Sequence, residues 1–256
     1  MWSIQARILP YVEQGALYNA ADLDVAYSAG SLIARSRVPM YLCPSETNDR
    51  ARMNGANPEH YPLNYAYNAG SYLVFTHAAT IAEGGTPGNG AFGPNSRTGP
   101  RDFSDGMSNT LGFSEVKAFT PYVRNGKDSP TSPPTSLASL SAGDFKIDSG
   151  HTEWVDGRVH QTGFTTVFGP NANTVVTGTG DSNGVDDIGD YTSCREADSA
   201  CVGEPVRAAV TARSHHEGIV NVILMDGSGR SISENINLGL WRNLGARNDG
   251  NVIGDF

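Results

Sequence analysis

The sequence predicts an α+β domain, with an N-terminal amphipathic helix packed on an antiparallel β-sheet and long Gly/Pro-rich loop insertions. Three observations predict it. Ile4, Ile8, Tyr11, Val12 and Leu17-Tyr18 recur at helical spacing near the start. A β-branched run, an Asp-Gly turn and a returning run close the chain, as in a hairpin. The 30 glycines and 14 prolines collect in clusters, and only 18% of residues are charged, a texture of turns that disfavours a coiled coil or helical bundle.

Taken in order, the elements begin with a helix over 1–20. Ser3 is its candidate N-cap, and Pro10 should kink or split it. Val38 to Leu42 reads as a short strand ended by Cys43-Pro44-Ser45, and Asn64 to Asn68 alternates as a second strand. Residues 83–100 and 126–143 read as loops, the second mobile, because prolines punctuate glycines, serines and threonines there. Thr110 to Phe113 reads as a strand. Phe164 to Phe168 and Thr174 to Thr177 are β-branched and aromatic, with Gly169-Pro170-Asn171 as the turn between them. Ile219 to Met225, the turn 226–229 and Arg230 to Ser233 form the C-terminal hairpin, and the helix Leu238 to Leu244 is stopped by Gly245. No internal repeat or domain boundary stands out, so residues 1–256 read as one domain, with its C-terminal region at 213–256.

With 18 basic and 27 acidic side chains the formal net charge is −9. That disfavours a sequence-independent grip on nucleic acid or an anionic membrane, both of which need a basic surface. No apolar stretch approaches the roughly 20 residues that span a bilayer, and the first residues do not form a signal peptide. Cys194 and Cys201 sit seven apart in a polar loop, a spacing that fits neither a C-x-x-C redox pair nor a zinc-ligand pair. The loop context favours a disulfide, which implies an oxidising compartment; two free thiols in a cytosolic loop are the alternative. Cys43 is either a buried small hydrophobe or pairs with something outside this sequence.

Candidate sites are few. Asp181, Asn183 and Asp187 offer oxygen ligands around a glycine turn, which suits Ca²⁺, although the spacing is not that of an EF-hand and acidic loops without metal are common. His216 and Asp226 have nine residues between them. Ten strand steps of about 3.3 Å put them roughly 33 Å apart, so one metal or proton relay in one subunit cannot use both. Asp226-Gly227 reads as turn chemistry, and His216 as a structural histidine or a contact between subunits. Asp105, Gly106, Ser108, Asn109 and Thr110 read as a turn, with an anion or sugar site as the alternative. No G-x-S-x-G, H-E-x-x-H, P-loop or helix-opening G-x-G-x-x-G is present. Trp2, Trp154 and Trp241 are core or interface residues in preference to a sugar-stacking surface.

Arg213-Ser214-His215-His216, Gly218 to Val222 and Met225-Asp226-Gly227-Ser228 carry an H-x9-D-G signature. The sequence here resembles the DUF1559 family, prepilin-like proteins typical of planctomycetes. Leu9-Pro10-Tyr11, Cys43-Pro44-Ser45, Asn64-Tyr65, Asp105 to Thr110 with Glu115, His160 to Thr166, Asp190 to Ser193 with Arg195-Glu196, and Trp241-Arg242 follow in family order. The resemblance implies a pilin-like fold and assembly rather than catalysis. It also implies an upstream apolar helix, the class III signal for prepilin peptidase, which these residues do not contain. Either that helix has been removed or the chain is a soluble variant. The family order places a cysteine just after that helix, which offers Cys43 a partner.

The resulting expectation is a non-enzymatic, extracytoplasmic, pseudopilin-like subunit with no certain cofactor, Ca²⁺ being the one candidate. Its precursor would be membrane-anchored only through the absent helix. Its partners would be other pilin-like subunits in a system like type II secretion or type IV pili. The loops 83–100 and 126–143 would set what a fibre touches. A polysaccharide- or ligand-binding module is the rival, and a hydrolase ranks last.

Overall fold

The structure, a computed structural model, describes residues 2–80, 84–127, 130–138, 140, 143–180, 186–196, 198–251, 253–254 and 256. Among these residues the strands form four sheets, and the α-helices are short. In the larger sheet the strand order is Thr179–Gly180, Asp144–Gly150, Thr120–Arg124, Asp190–Thr192, Pro205–Ala209, Leu73–His77 and Gly85–Pro87. It is mixed: Asp190–Thr192 runs parallel to Thr120–Arg124 and antiparallel to Pro205–Ala209. In the second sheet the order is Gly229–Ser233, Ile219–Leu224, Leu111–Glu115, Tyr65–Asn68 and Gly163–Phe164, antiparallel except at the last pair. The antiparallel pairs Arg52–Asn54 with Asn57–His60 and Val175–Val176 with Asp187–Ile188 complete the sheets.

This overturns the expected α+β, pilin-like class: the molecule is mostly β, and no N-terminal helix lies on a sheet. The first twenty residues instead fold as an α-turn at Ile4–Arg7, a 3-10 turn at Leu9–Val12 and a second α-turn at Gly15–Asn19. Ser3 does cap the first, its hydroxyl accepting from the Ala6 amide at 3.0 Å. Pro10 ends it, because it has no N–H to give and its ring collides with the preceding turn. Glu13 then adopts a left-handed φ of 59°. The apolar side of this segment packs on irregular chain: Ala6 and Leu9 meet Ile33, Ala34, Val38, Tyr41, Leu63, Trp154 and Val155. Polar bonds fix it there, with the Ser3 hydroxyl on the Trp154 carbonyl at 2.6 Å and the Gln5 amide on the Tyr65 carbonyl at 3.0 Å.

Other local expectations fare unevenly. Tyr65–Asn68, Leu111–Glu115 and the hairpin Ile219–Leu224/Gly229–Ser233 form where the alternation places them, and the last helix forms too, although it runs Leu238–Gly245 and takes in the glycine expected to stop it. Val38 to Leu42 is not a strand, because Pro39 opens a 3-10 turn over Pro39–Tyr41. Residues 164–168 and 174–177 do not pair with each other. Gly163–Phe164 joins Tyr65–Asn68, and Val175–Val176 joins Asp187–Ile188. The loop 83–100 contributes an edge strand, Gly85–Pro87. The loop 126–143 inserts Leu137 and Leu140 into the core around Tyr72, Val123, Phe145 and Tyr191.

Trp154 and Trp241 are fully buried, each contributing roughly 2–3 kcal/mol by removal from water. Trp241 packs beside Phe164 on the sheet of the C-terminal hairpin, while Trp2 lies half-buried against Tyr27. Among the described residues no helix is long and apolar enough to cross a membrane. At the end of the last helix, a Cβ on Gly245 would meet the Thr166 hydroxyl at 2.2 Å, and Asn68 donates to the Gly245 carbonyl at 2.9 Å. Gly245→Ala should therefore destabilise the fold by about 1–3 kcal/mol in urea unfolding, by overpacking. Gly15→Ala, with nothing within 4 Å of the added carbon, should be neutral or stabilise by about 0.5–1 kcal/mol. Equal effects at the two positions would contradict this packing.

Candidate functional site

The turn after Tyr41, the end of strand Leu111–Glu115 and the segment leading into strand Ile219–Leu224 meet at one place. Asn64 builds the joint. Its carbonyl oxygen accepts from the Cys43 amide at 3.0 Å, and its amide donates to Glu46 Oε2 at 2.5 Å and to the Val116 carbonyl at 2.9 Å. Glu46, whose side chain is fully buried, also accepts from the Asn48 and Ala118 amides and faces His215 Nε2 at 3.2 Å. The segment 213–216 is fixed from behind. The Arg213 amide donates to the Glu115 carbonyl, and its guanidinium holds buried Asp190 at 2.5 Å and Thr174 Oγ1 at 2.8 Å.

Within this frame Cys43, Glu115 and His216 place their ligand-capable atoms within 4.8 Å of one another. His216 Nε2 lies 3.6 Å from Cys43 Sγ and 3.2 Å from Glu115 Oε1. Glu115 Oε2 is occupied by the Asn221 amide at 2.7 Å. Cys43 Sγ accepts from the Ser45 amide at 3.5 Å, and Tyr65 lies nearby, its hydroxyl pushed up to about 12 by burial with Cys43 and Glu115 adding to the effect. Cys43 and Glu115 are buried, while the His216 side chain is 34% exposed along a cleft of about 610 Å³ that His215, Arg213, Asn171 and Glu234 also line.

A thiol–imidazole–carboxylate relay would use the two ring nitrogens separately, one towards the nucleophile and one towards the acid. Here both contacts fall on Nε2, which has a single proton or a single lone pair to offer. The arrangement is convergent, not relayed.

The other sites singled out by the sequence lie apart from this one. Asp226 accepts the Ser228 amide at 2.9 Å and hydroxyl at 2.7 Å, bonds that hold its carboxyl below the usual range, and Gly227 takes φ 88° in the same turn. Asp105 accepts the amides of Asp249 and Gly250 at 2.6 and 3.1 Å, tying down the C-terminal loop. Asn109 and Thr110 bond back to the carbonyls of Asp105 and Gly106, both at 3.0 Å, Gly106 takes φ 95°, and Ser108 is exposed in the 3-10 turn. Asp181 and Asn183 lie outside the described residues. Asp187 opens a short strand, its Oδ1 on the Ile188 amide. Cys194 and Cys201 form a disulfide with Cα atoms 5.8 Å apart. Glu46 carries no local pattern that marks it, and its partners lie 18 residues away at Asn64 and 169 away at His215, while Tyr65 and His215 stand in the sequence only as members of the family motifs.

A second buried polar cluster surrounds residues 149–162. Burial opposes charge on Asp156, yet the Arg158 guanidinium holds its carboxyl at about 2. Beside it, burial pushes Glu196 up to about 7, against the Val159 amide at 2.9 Å that favours its charge, and pushes His160 well below the ordinary imidazole value.

A family model described as "Protein of unknown function (DUF1559)" matches residues 1–239 of the chain. No curated protein and no solved structure matches it.

Glu196 makes the pH dependence of stability specific. Its folded value of about 7 exceeds the ordinary 4.5, so the folded state holds its proton more tightly than the unfolded state. The contribution is complete below pH 4.5 and is lost as pH rises through 7. Glu196→Gln mimics the protonated form. Relative to the wild type, it should gain stability between pH 4.5 and 8 by up to about 3 kcal/mol, read by urea unfolding across that range. A difference independent of pH would show that Glu196 does not titrate there.

Proposed function

The chain belongs to the DUF1559 family, and from that membership we propose that it is a non-enzymatic, extracytoplasmic subunit displayed or assembled at the cell surface. The observation that carries this reading is the use made of the signature residues. Asp226 closes a hairpin, Asp105 anchors the C-terminal loop, and Glu115 holds strand Ile219–Leu224 in place. Asp105 and Glu115 each join two distant backbone segments and Asp226 shapes its own turn, which is the work of a scaffold. His216 meets its acid and thiol through one nitrogen, which supports a non-catalytic role.

Two further features support the reading. The Cys194–Cys201 disulfide is of a kind that persists in oxidising compartments. The start of the chain is rooted in the globular part, with Trp2 bridged to Asp156 and the Ser3 amide on the Val155 carbonyl at 2.9 Å. A helix entering at Trp2 would thus be joined without slack to the body that it carries. The proposal requires such an apolar helix in the native polypeptide, driving assembly as the family resemblance implies.

A cleft of about 640 Å³, lined by Asn95, Ser96, Arg97, Arg101, Asp102 and Arg247, favours a second reading, a module for acidic polysaccharide. Here Arg97 of the loop 83–100, with Arg101 just beyond it, would supply cationic side chains in an otherwise acidic protein.

Mass spectrometry of the N-terminal peptide, on protein isolated from the envelope fraction of its own cells, tests the first reading. A processed, N-methylated apolar helix preceding Trp2 is the expected result. A protein found in the cytosol, or beginning at Met1, would sink it. The second reading predicts that the isolated chain binds an acidic polysaccharide, and that replacing Arg97 and Arg101 by Ala weakens binding by roughly 10-fold or more.

A further inference from the structure

We propose that Cys43, Glu115 and His216 form a zinc site that latches the turn after Tyr41 onto the C-terminal hairpin. The donor set is one thiolate, one carboxylate and one imidazole, a combination suited to Zn²⁺, with the fourth position taken by water from the side where His216 is exposed.

The spacing is the strongest argument. Zn–S bonds of about 2.3 Å and Zn–N or Zn–O bonds of about 2.05 Å, set at tetrahedral angles, place sulfur and nitrogen about 3.6 Å apart and nitrogen and oxygen about 3.3 Å apart. The separations are 3.6 Å for Cys43 Sγ to His216 Nε2 and 3.2 Å for His216 Nε2 to Glu115 Oε1. A charge-assisted hydrogen bond between imidazolium and carboxylate would close to about 2.7–2.9 Å, shorter than this contact. The shared nitrogen points the same way. Nε2 cannot satisfy thiol and carboxylate together by hydrogen bonding, whereas one cation between the three satisfies all of them.

The groups around the ligands are those that orient a metal site. The Ser45 amide donates to the Cys43 sulfur at 3.5 Å and the Tyr65 hydroxyl lies beside it, outer groups that would orient this ligand. The Asn221 amide occupies Glu115 Oε2 and leaves Oε1 for the ion. Cys43 also remains a thiol in a chain whose other two cysteines are joined, and coordination would protect it from oxidation. The site draws its ligands from three distant segments, so its binding free energy adds to the stability of the fold.

The test uses the full chain and Zn²⁺ itself. After dialysis, elemental analysis should find one zinc per chain, and Cys43 should resist alkylation until a chelator is added. Replacing zinc by Co²⁺ should give a sulfur-to-cobalt charge-transfer band in the near ultraviolet. Cys43→Ser and His216→Gln should each weaken zinc binding by at least roughly 100-fold, and Tyr65→Phe, which keeps all three ligands, by about 10-fold to 100-fold. Should the ligand variants fail to fold, the wild-type cobalt spectrum and Tyr65→Phe decide. The proposal is overturned if the wild type retains no zinc with Cys43 reduced, if Cys43 is found in a disulfide, or if cobalt binds without the sulfur band.

Discussion

The fold turns on the burial of Asn64. This side chain is 1% exposed and has four hydrogen-bonding positions to satisfy in a place that water does not reach. It satisfies three of them with the Cys43 amide, Glu46 and the Val116 carbonyl, and its backbone adds bonds to Tyr41 and Val116. An irregular chain such as 20–50 has few ladders of its own, so its buried polar groups must find partners on regular elements. Asn64, at the entry to strand Tyr65–Asn68, is where the N-terminal segment and the second sheet meet that demand. Leaving any of these groups unpaired would cost about 1–3 kcal/mol each, and the same joint pairs the buried Glu46 carboxylate.

The same logic explains which parts of the structure were legible in the sequence. The C-terminal hairpin, strands Tyr65–Asn68 and Leu111–Glu115, and the last helix are determined locally, by alternation, an Asp-Gly turn and a capping Asn237. The strands Thr120–Arg124, Asp144–Gly150 and Pro205–Ala209 escaped notice. They carry prolines, glycines and charges that interrupt the apolar alternation, and they pair with partners far away in sequence. The N-terminal helix failed for the opposite reason. Its apolar period is real, but Pro10 and the left-handed Glu13 break the backbone that would have used it. In the candidate site, His216, Glu115 and Cys43 each sit in a recognisable motif, yet 173 residues separate Cys43 from His216. Their convergence follows from sheet register, and no local pattern encodes that.

Buried charge accounts for much of what remains. Asp190 with Arg213, Asp156 with Arg158, and Glu153 with Arg158 and Arg52 are ion pairs largely withdrawn from solvent. Desolvating such groups costs several kcal/mol per ion, which the pairing roughly offsets, so they add little net stability. What they add is position. Arg213 is clamped by Asp190, Thr174 and Gly189, so the two histidines that follow it are delivered to Glu46 and Glu115 from a fixed point.

The H-x9-D-G signature thus has two ends doing separate work. At one end Asp226 and Gly227 shape a solvent-facing turn whose value is entirely local. At the other, His216 reaches across to the front of the chain. The residues between them form strand Ile219–Leu224, whose length holds the ends apart and whose alternation buries Val220, Val222 and Leu224. Inserting or deleting one residue would flip that buried face to solvent, the period of a strand being two. The spacing of nine is therefore a packing constraint on one strand, and the chemistry at each end depends on that register.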